Sequence, residues 1–170
     1  VLDLVGADRL LTRREIEKLI VFATPGQTVT LADIEAIMAD ASALAADSVI
    51  DAAFTGHLAA MDAGVTRLFA EGDDAGMVAA SALRHAMALH KTRVAIDRGT
   101  PADTAILQAR VFYKRKAAFQ RQLTLWTPTA LEGVIALLRE TQALARRQAS
   151  LGETHLARSL LMIATRVARR

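Results

Sequence analysis

Cysteine is absent from this 170-residue chain, which removes disulfides, thiolate metal sites and cysteine nucleophiles, and fits a reducing compartment. Aromatic residues make up only 4% of it, a palette that favours closely packed helices over sheets. No apolar run approaches the roughly 18 residues that a membrane span needs. Neither a Gly-x4-Gly-Lys-Ser/Thr phosphate loop nor a Gly-x-Gly-x-x-Gly turn occurs, and Thr24-Pro-Gly-Gln-Thr28 reads as a turn. The histidines His57, His85, His90 and His155 stand at no metal-ligand spacing, because residues five apart fall on different helix faces. Asp73-Asp74 sits at a helix start, where carboxylates cap, and no serine carries an elbow motif. The expectation is a non-catalytic chain with no cofactor and no metal.

What is present is apolar and basic. The apolar fraction is 52%, so a sizeable core is available. A net charge of +3 conceals an asymmetry: residues 1–100 hold 9 Lys+Arg against 14 Asp+Glu, giving −5, and residues 101–170 hold 12 against 4, giving +8. The C-terminal part is therefore the one suited to a polyanion. The chain begins at Val rather than Met, and the expectation is that it is a piece of something longer.

The stretch from Arg110 to Trp126 concentrates this character. It holds Arg110, Lys114, Arg115, Lys116 and Arg121 without an acid, together with the only Tyr, the only Trp and two Phe. At 3.6 residues per turn, Val111, Phe112, Arg115, Phe119, Gln122 and Leu123 trend to one side, and Lys114, Lys116 and Arg121 to the other. The stretch reads either as a core helix with a solvated basic face or as a basic face aimed at phosphate. Arg146-Arg147 forms a second cationic site in the last turn of its helix, where it also complements the helix dipole.

Helix punctuation is regular. Thr12-Arg-Arg-Glu15 is a capping box, and Thr24-Pro-Gly-Gln ends the helix that it starts. Thr30 caps a short helix, Ala39–Ala43 reads as a loop, and a further helix is expected over 46–55. After Gly56 the helices lengthen: one over 57–71, one from the Asp73-Asp74 cap to Gly99, one started by Thr100-Pro101, then the basic helix. Thr127-Pro128 starts the next, which Gly152 breaks before the last. No stretch alternates, so an all-α fold without a sheet is predicted.

The order and spacing of these segments resemble the delta subunit of bacterial DNA polymerase III, the clamp-loader wrench, over its last two domains. The resemblance is carried by Leu11-Thr-Arg-Arg-Glu-Ile-Glu-Lys-Leu19, Val29-Thr-Leu-Ala-Asp-Ile-Glu-Ala-Ile37, Asp40-Ala-Ser-Ala43 and Leu68-Phe-Ala-Glu-Gly72. Val111-Phe-Tyr-Lys-Arg-Lys-Ala-Ala-Phe-Gln-Arg-Gln-Leu123 and the closing helix Leu156–Arg166 complete it. It implies a small three-helix AAA+ lid over residues 1–55 and a helical collar, the oligomerisation domain, over 56–170. It further implies a cytoplasmic replication protein, a component of the DNA polymerase III holoenzyme, that joins four other clamp-loader subunits in a hetero-pentameric ring above primed DNA. The sliding clamp would be reached through an N-terminal AAA+-like domain outside this sequence, and no membrane is involved. Lys114, Arg115, Arg121, Arg146 and Arg147 become the expected DNA-binding residues. Where the family can bear an aromatic residue near DNA, this chain has Ala149 and Ser150. Two readings compete with this one. A helix-turn-helix regulator over 12–39 would have a recognition helix carrying only acids, Asp33 and Glu35. A helical enzyme would need a pocket assembled from scattered residues.

Overall fold

A single 25-residue helix, α1 (Leu31–Thr55), opens the part of the chain that the computed structural model describes, residues 30–169. The loop expected over Ala39–Ala43 is therefore a correction: α1 runs through it. Asp40-Ala-Ser-Ala-Leu-Ala-Ala has neither Gly nor Pro, and its alanines carry the highest helix propensity, which outweighs the preference of Asp and Ser for caps. The capping box at Thr12–Glu15 and the turn after Thr24 lie outside the described residues.

Six more α-helices follow: α2 (Leu58–Ala70), α3 (Ala75–Asp97), α4 (Ala102–Gln108), α5 (Lys116–Leu125), α6 (Pro128–Arg147) and α7 (Gly152–Ala168). Short 3-10 turns at Tyr113–Arg115 and Ala149–Leu151 lead into α5 and α7. The fold is all-α, with no strand among the described residues. None of the described helices is long and apolar enough to cross a membrane.

Local chemistry sets several of these boundaries. Asp74 Oδ1 accepts from the Met77 amide at 2.7 Å and starts α3. Thr127 Oγ1 accepts from the Ala130 amide at 3.3 Å with Pro128 at the first helical position, and starts α6. Pro101 itself occupies the N-cap of α4. The break before α7 falls at Gln148, after Arg147, and Gly152 is the first residue of α7, packed 3.5 Å (measured from the position of a Cβ) from the Ala75 methyl.

A compact unit begins at Ala45, so the last part of α1 belongs with the helices after it, and Gly56 marks the end of α1. At its centre lies α3, whose buried face carries the alanines Ala75, Ala79, Ala82 and Ala86 among Val78, His85, Leu89 and Thr92. Small side chains let α6 and α7 come close, and these present Leu131, Val134, Leu138, Leu156, Leu160 and Ile163, all fully buried. Within this packing Thr141 Oγ and Ser159 Oγ meet at 2.7 Å between α6 and α7. Phe54 of α1 is fully buried, and its carbonyl accepts from Trp126 Nε1 at 2.8 Å.

Candidate nucleic-acid interface

The basic stretch is not one helix. α4 stops at Gln108, and Arg110 adopts φ 51°, a left-handed conformation uncommon for a residue with a side chain. Val111 then turns inward against the core, and Phe112 and Tyr113 point outward, 47% and 72% exposed. Val111 and Phe112, β-branched and aromatic, are weaker helix formers than the alanines of α4 and α5, and here they stand outside any α-helix on opposite sides of the chain. From Lys116 onward the expected face does appear: Phe119, Gln122 and Leu123 are buried, and Lys116 and Arg121 are exposed.

Arg115 parts company with the other cations. Its Nε and Nη2 donate to the two carboxylate oxygens of Asp51 at 2.7 and 2.8 Å, a bidentate pair, and Nη1 lies 2.6 Å from Asp47 Oδ1. Asp47 and Asp51 are one helical turn apart on α1, which lets one guanidinium reach both. Arg115 Nη2 also donates to His85 Nδ1 at 3.2 Å. With Nδ1 accepting, the imidazole carries its proton on Nε2 and donates to Gln122 Oε1 at 2.8 Å. The Gln122 amide closes the circuit by donating to Asp51 Oδ1 at 2.9 Å. The five side chains join α1, α3, the 3-10 turn and α5.

Electrostatics follows from that geometry. Burial, and then the neighbouring Arg115 cation, push His85 down to about 4, against the pull of Asp51 and Gln122. Burial works against the charge of Arg115, but the Asp51 and Asp47 carboxylates outweigh it and raise its pKa. His85 is thus a neutral imidazole held edge-on between the rings of Phe54 and Phe119, with centroids at 4.9 and 5.8 Å. Every polar atom of the cluster facing the interior is partnered, so its chemistry is that of a latch.

The expected phosphate-binding residues therefore divide. The guanidinium of Arg115 is engaged by two carboxylates and an imidazole. Lys114, Arg121, Arg146 and Arg147 are exposed, with no ion pair to a described residue. Lys114 Nζ lies over the Tyr113 ring, 5.8 Å from its centroid. Sequence reasoning missed Asp47, Asp51 and His85 as partners. The available signal was an acid pair spaced by four among the apolar residues Ala46, Val49, Ile50, Ala53 and Phe54. Ala149 and Ser150 are exposed in their turn. Among the described residues, no group of three His, Asp or Glu could hold a metal ion. No protein-family model, curated protein or solved structure matches this chain.

Proposed function

We propose that this chain is the lid-and-collar part of a clamp-loader subunit, a helical module that assembles with other subunits and offers cations to the phosphates of primed DNA. The observation that carries the reading is the exposure of Lys114, Arg121, Arg146 and Arg147, which have no ion pair to a described residue, in a segment of charge +8, beside the family-like sequence segments over 68–72, 111–123 and 156–166. Exposed Leu107, Leu151, Leu161 and Met162 supply apolar surface for neighbouring subunits. Lys and Arg without Asn or Gln partners bind phosphate without reading bases. Arg115 takes no part in this contact; it holds the basic segment in place.

The test uses the full-length parent protein mixed with its partner subunits. A ring of defined mass should form. Within that ring, removing the charge of Lys114, Arg121, Arg146 or Arg147 should lower the log–log salt slope of DNA binding by about one unit per lost contact, on any DNA sequence. No assembly at micromolar concentration would end the clamp-loader reading. An unchanged slope in an intact ring would reduce these cations to a solvated face.

A further inference from the structure

Among the described aromatic residues, Phe54, Phe119 and Trp126 are buried and Phe69 packs against the core; only Phe112 and Tyr113 stand in solvent. Their exposure is built into the chain path. Val111 on one side is fixed against the core, and Arg115 on the other is fixed by its two carboxylates, so the three residues between them are held outward. The two rings meet edge to face, with centroids 4.8 Å apart at 61°, which leaves at least one face of each ring uncovered by the other. Arg110, Lys114 and Lys116 are exposed around them, and no acid occurs from residue 104 to residue 131. Aromatic faces interleaved with cations, and free of negative charge, suit bases and phosphates taken together.

We propose that residues 110–116 form a stacking site for unpaired nucleotides of single-stranded DNA, with Phe112 and Tyr113 against bases and Arg110, Lys114 and Lys116 against the flanking phosphates. The inference rests on the nucleic-acid-facing reading above and deepens it, because cations alone hold phosphate and give no grip on a base. Stacking of this kind tolerates any sequence, since every base has a π face. The anchoring of both ends lowers the ordering cost on binding, as the rings are already displayed before the strand arrives.

The experiment measures binding of oligo-dT and of a matched abasic oligonucleotide to the chain at low salt, with Tyr113 fluorescence as a second signal. Oligo-dT should bind more tightly than the abasic strand, by about tenfold for each base stacked. The double change Phe112→Ala with Tyr113→Ala should erase that difference and leave the salt slope unaltered, because it removes no charge. Tyr113→Phe should preserve it. Emission from buried Trp126 checks that each variant remains folded. Equal binding of the two oligonucleotides, or no binding of oligo-dT, overturns the proposal. So does an alanine pair that weakens subunit assembly while oligo-dT affinity is kept, which would make the rings a protein-docking surface. Failure of ring assembly with the base-dependent difference intact would instead strike the clamp-loader reading alone.

Discussion

Arg115 and Asp51, 64 residues apart in sequence, meet through two hydrogen bonds of 2.7 and 2.8 Å that tie the basic segment to the first helix. The pair is partly shielded, with side-chain exposures of 17% and 15%, so neither charge is free of its partner's influence nor wholly dry. Its removal has consequences on both sides.

Replacing Arg115 by Ala should leave Asp51 and Asp47 without their cation and the Gln122–His85 circuit open. The expected loss is about 3 kcal/mol, the low end for breaking a buried ion pair, because both partners keep some solvent. Lys at this position should recover little, since an ammonium cannot make the bidentate contact. Urea unfolding decides it; a loss as small as that of Lys114→Ala, which should fall within about 0.5 kcal/mol of the parent, would refute a stabilising pair.

Stability should fall as pH drops from about 6.5, the ordinary histidine value, toward about 4, the value of His85 in the fold. In that window the unfolded chain binds a proton at His85 that the folded chain refuses, so acid favours unfolding; above it, this histidine makes no further difference. The contribution is on the order of 3 kcal/mol when the window has been crossed. Burial and the facing Arg115 cation should hold the ring neutral, while Asp51 and Gln122, which also face it, pull the other way. An NMR titration of His85 with a midpoint near the ordinary value would contradict this.

Gly64 lies inside α2 where a Cβ would stand 2.5 Å from Val49 Cγ2. Alanine there would gain about 1 kcal/mol of helix propensity but force apart two packed helices, an overpacking cost of about 1–3 kcal/mol. Val49 is 3% exposed and stiff about its first side-chain torsion, so it cannot swing away, and the clash should win. Gly64→Ala should lower the unfolding midpoint, and adding Val49→Ala should restore part of it. A stabilised single variant would show that α1 and α2 can separate freely.

The Thr141–Ser159 contact has a direction. Thr141 Oγ donates to the Leu137 carbonyl at 2.8 Å, which leaves Ser159 to donate into Thr141 at 2.7 Å. Thr141→Val therefore strands a buried donor and should cost about 1–3 kcal/mol, whereas Ser159→Ala removes the donor itself and should cost less. Equal losses would argue against this assignment of protons.

Legibility in the sequence followed the range of the interaction. Asp74 and Thr127 were readable as helix starts because a cap is completed within three residues. Phe119, Gln122 and Leu123 were readable as an inner face because periodicity is local, and the all-α class followed from the same patterns. The turn at Arg110 was not readable, since it depends on Val111 finding the core. The role of Arg115 was only half legible: periodicity placed it on the side of Phe119 and Gln122, but its partners Asp51 and His85 lie 64 and 30 residues away, beyond the reach of any local pattern. The Asp40–Ala43 segment misled because Asp and Ser resemble a loop when counted singly, while the alanines around them decide.

The bond between Trp126 and the carbonyl of Phe54 spans 72 residues, and it bears on how this chain is made. During synthesis the last turns of α1 emerge 72 residues ahead of Trp126, with Phe54 still lacking that partner. His85, which meets the Phe54 ring edge-on at 4.9 Å, emerges first, and Trp126, at 5.6 Å from the same ring, completes the cover only later. Contacts of such long range form late and slowly, so the nascent chain carries the apolar end of α1 only partly covered until Trp126 has emerged. A pause or truncation before Trp126 should thus yield a sticky intermediate, and chaperone capture of nascent chains should fall sharply once translation has passed that residue.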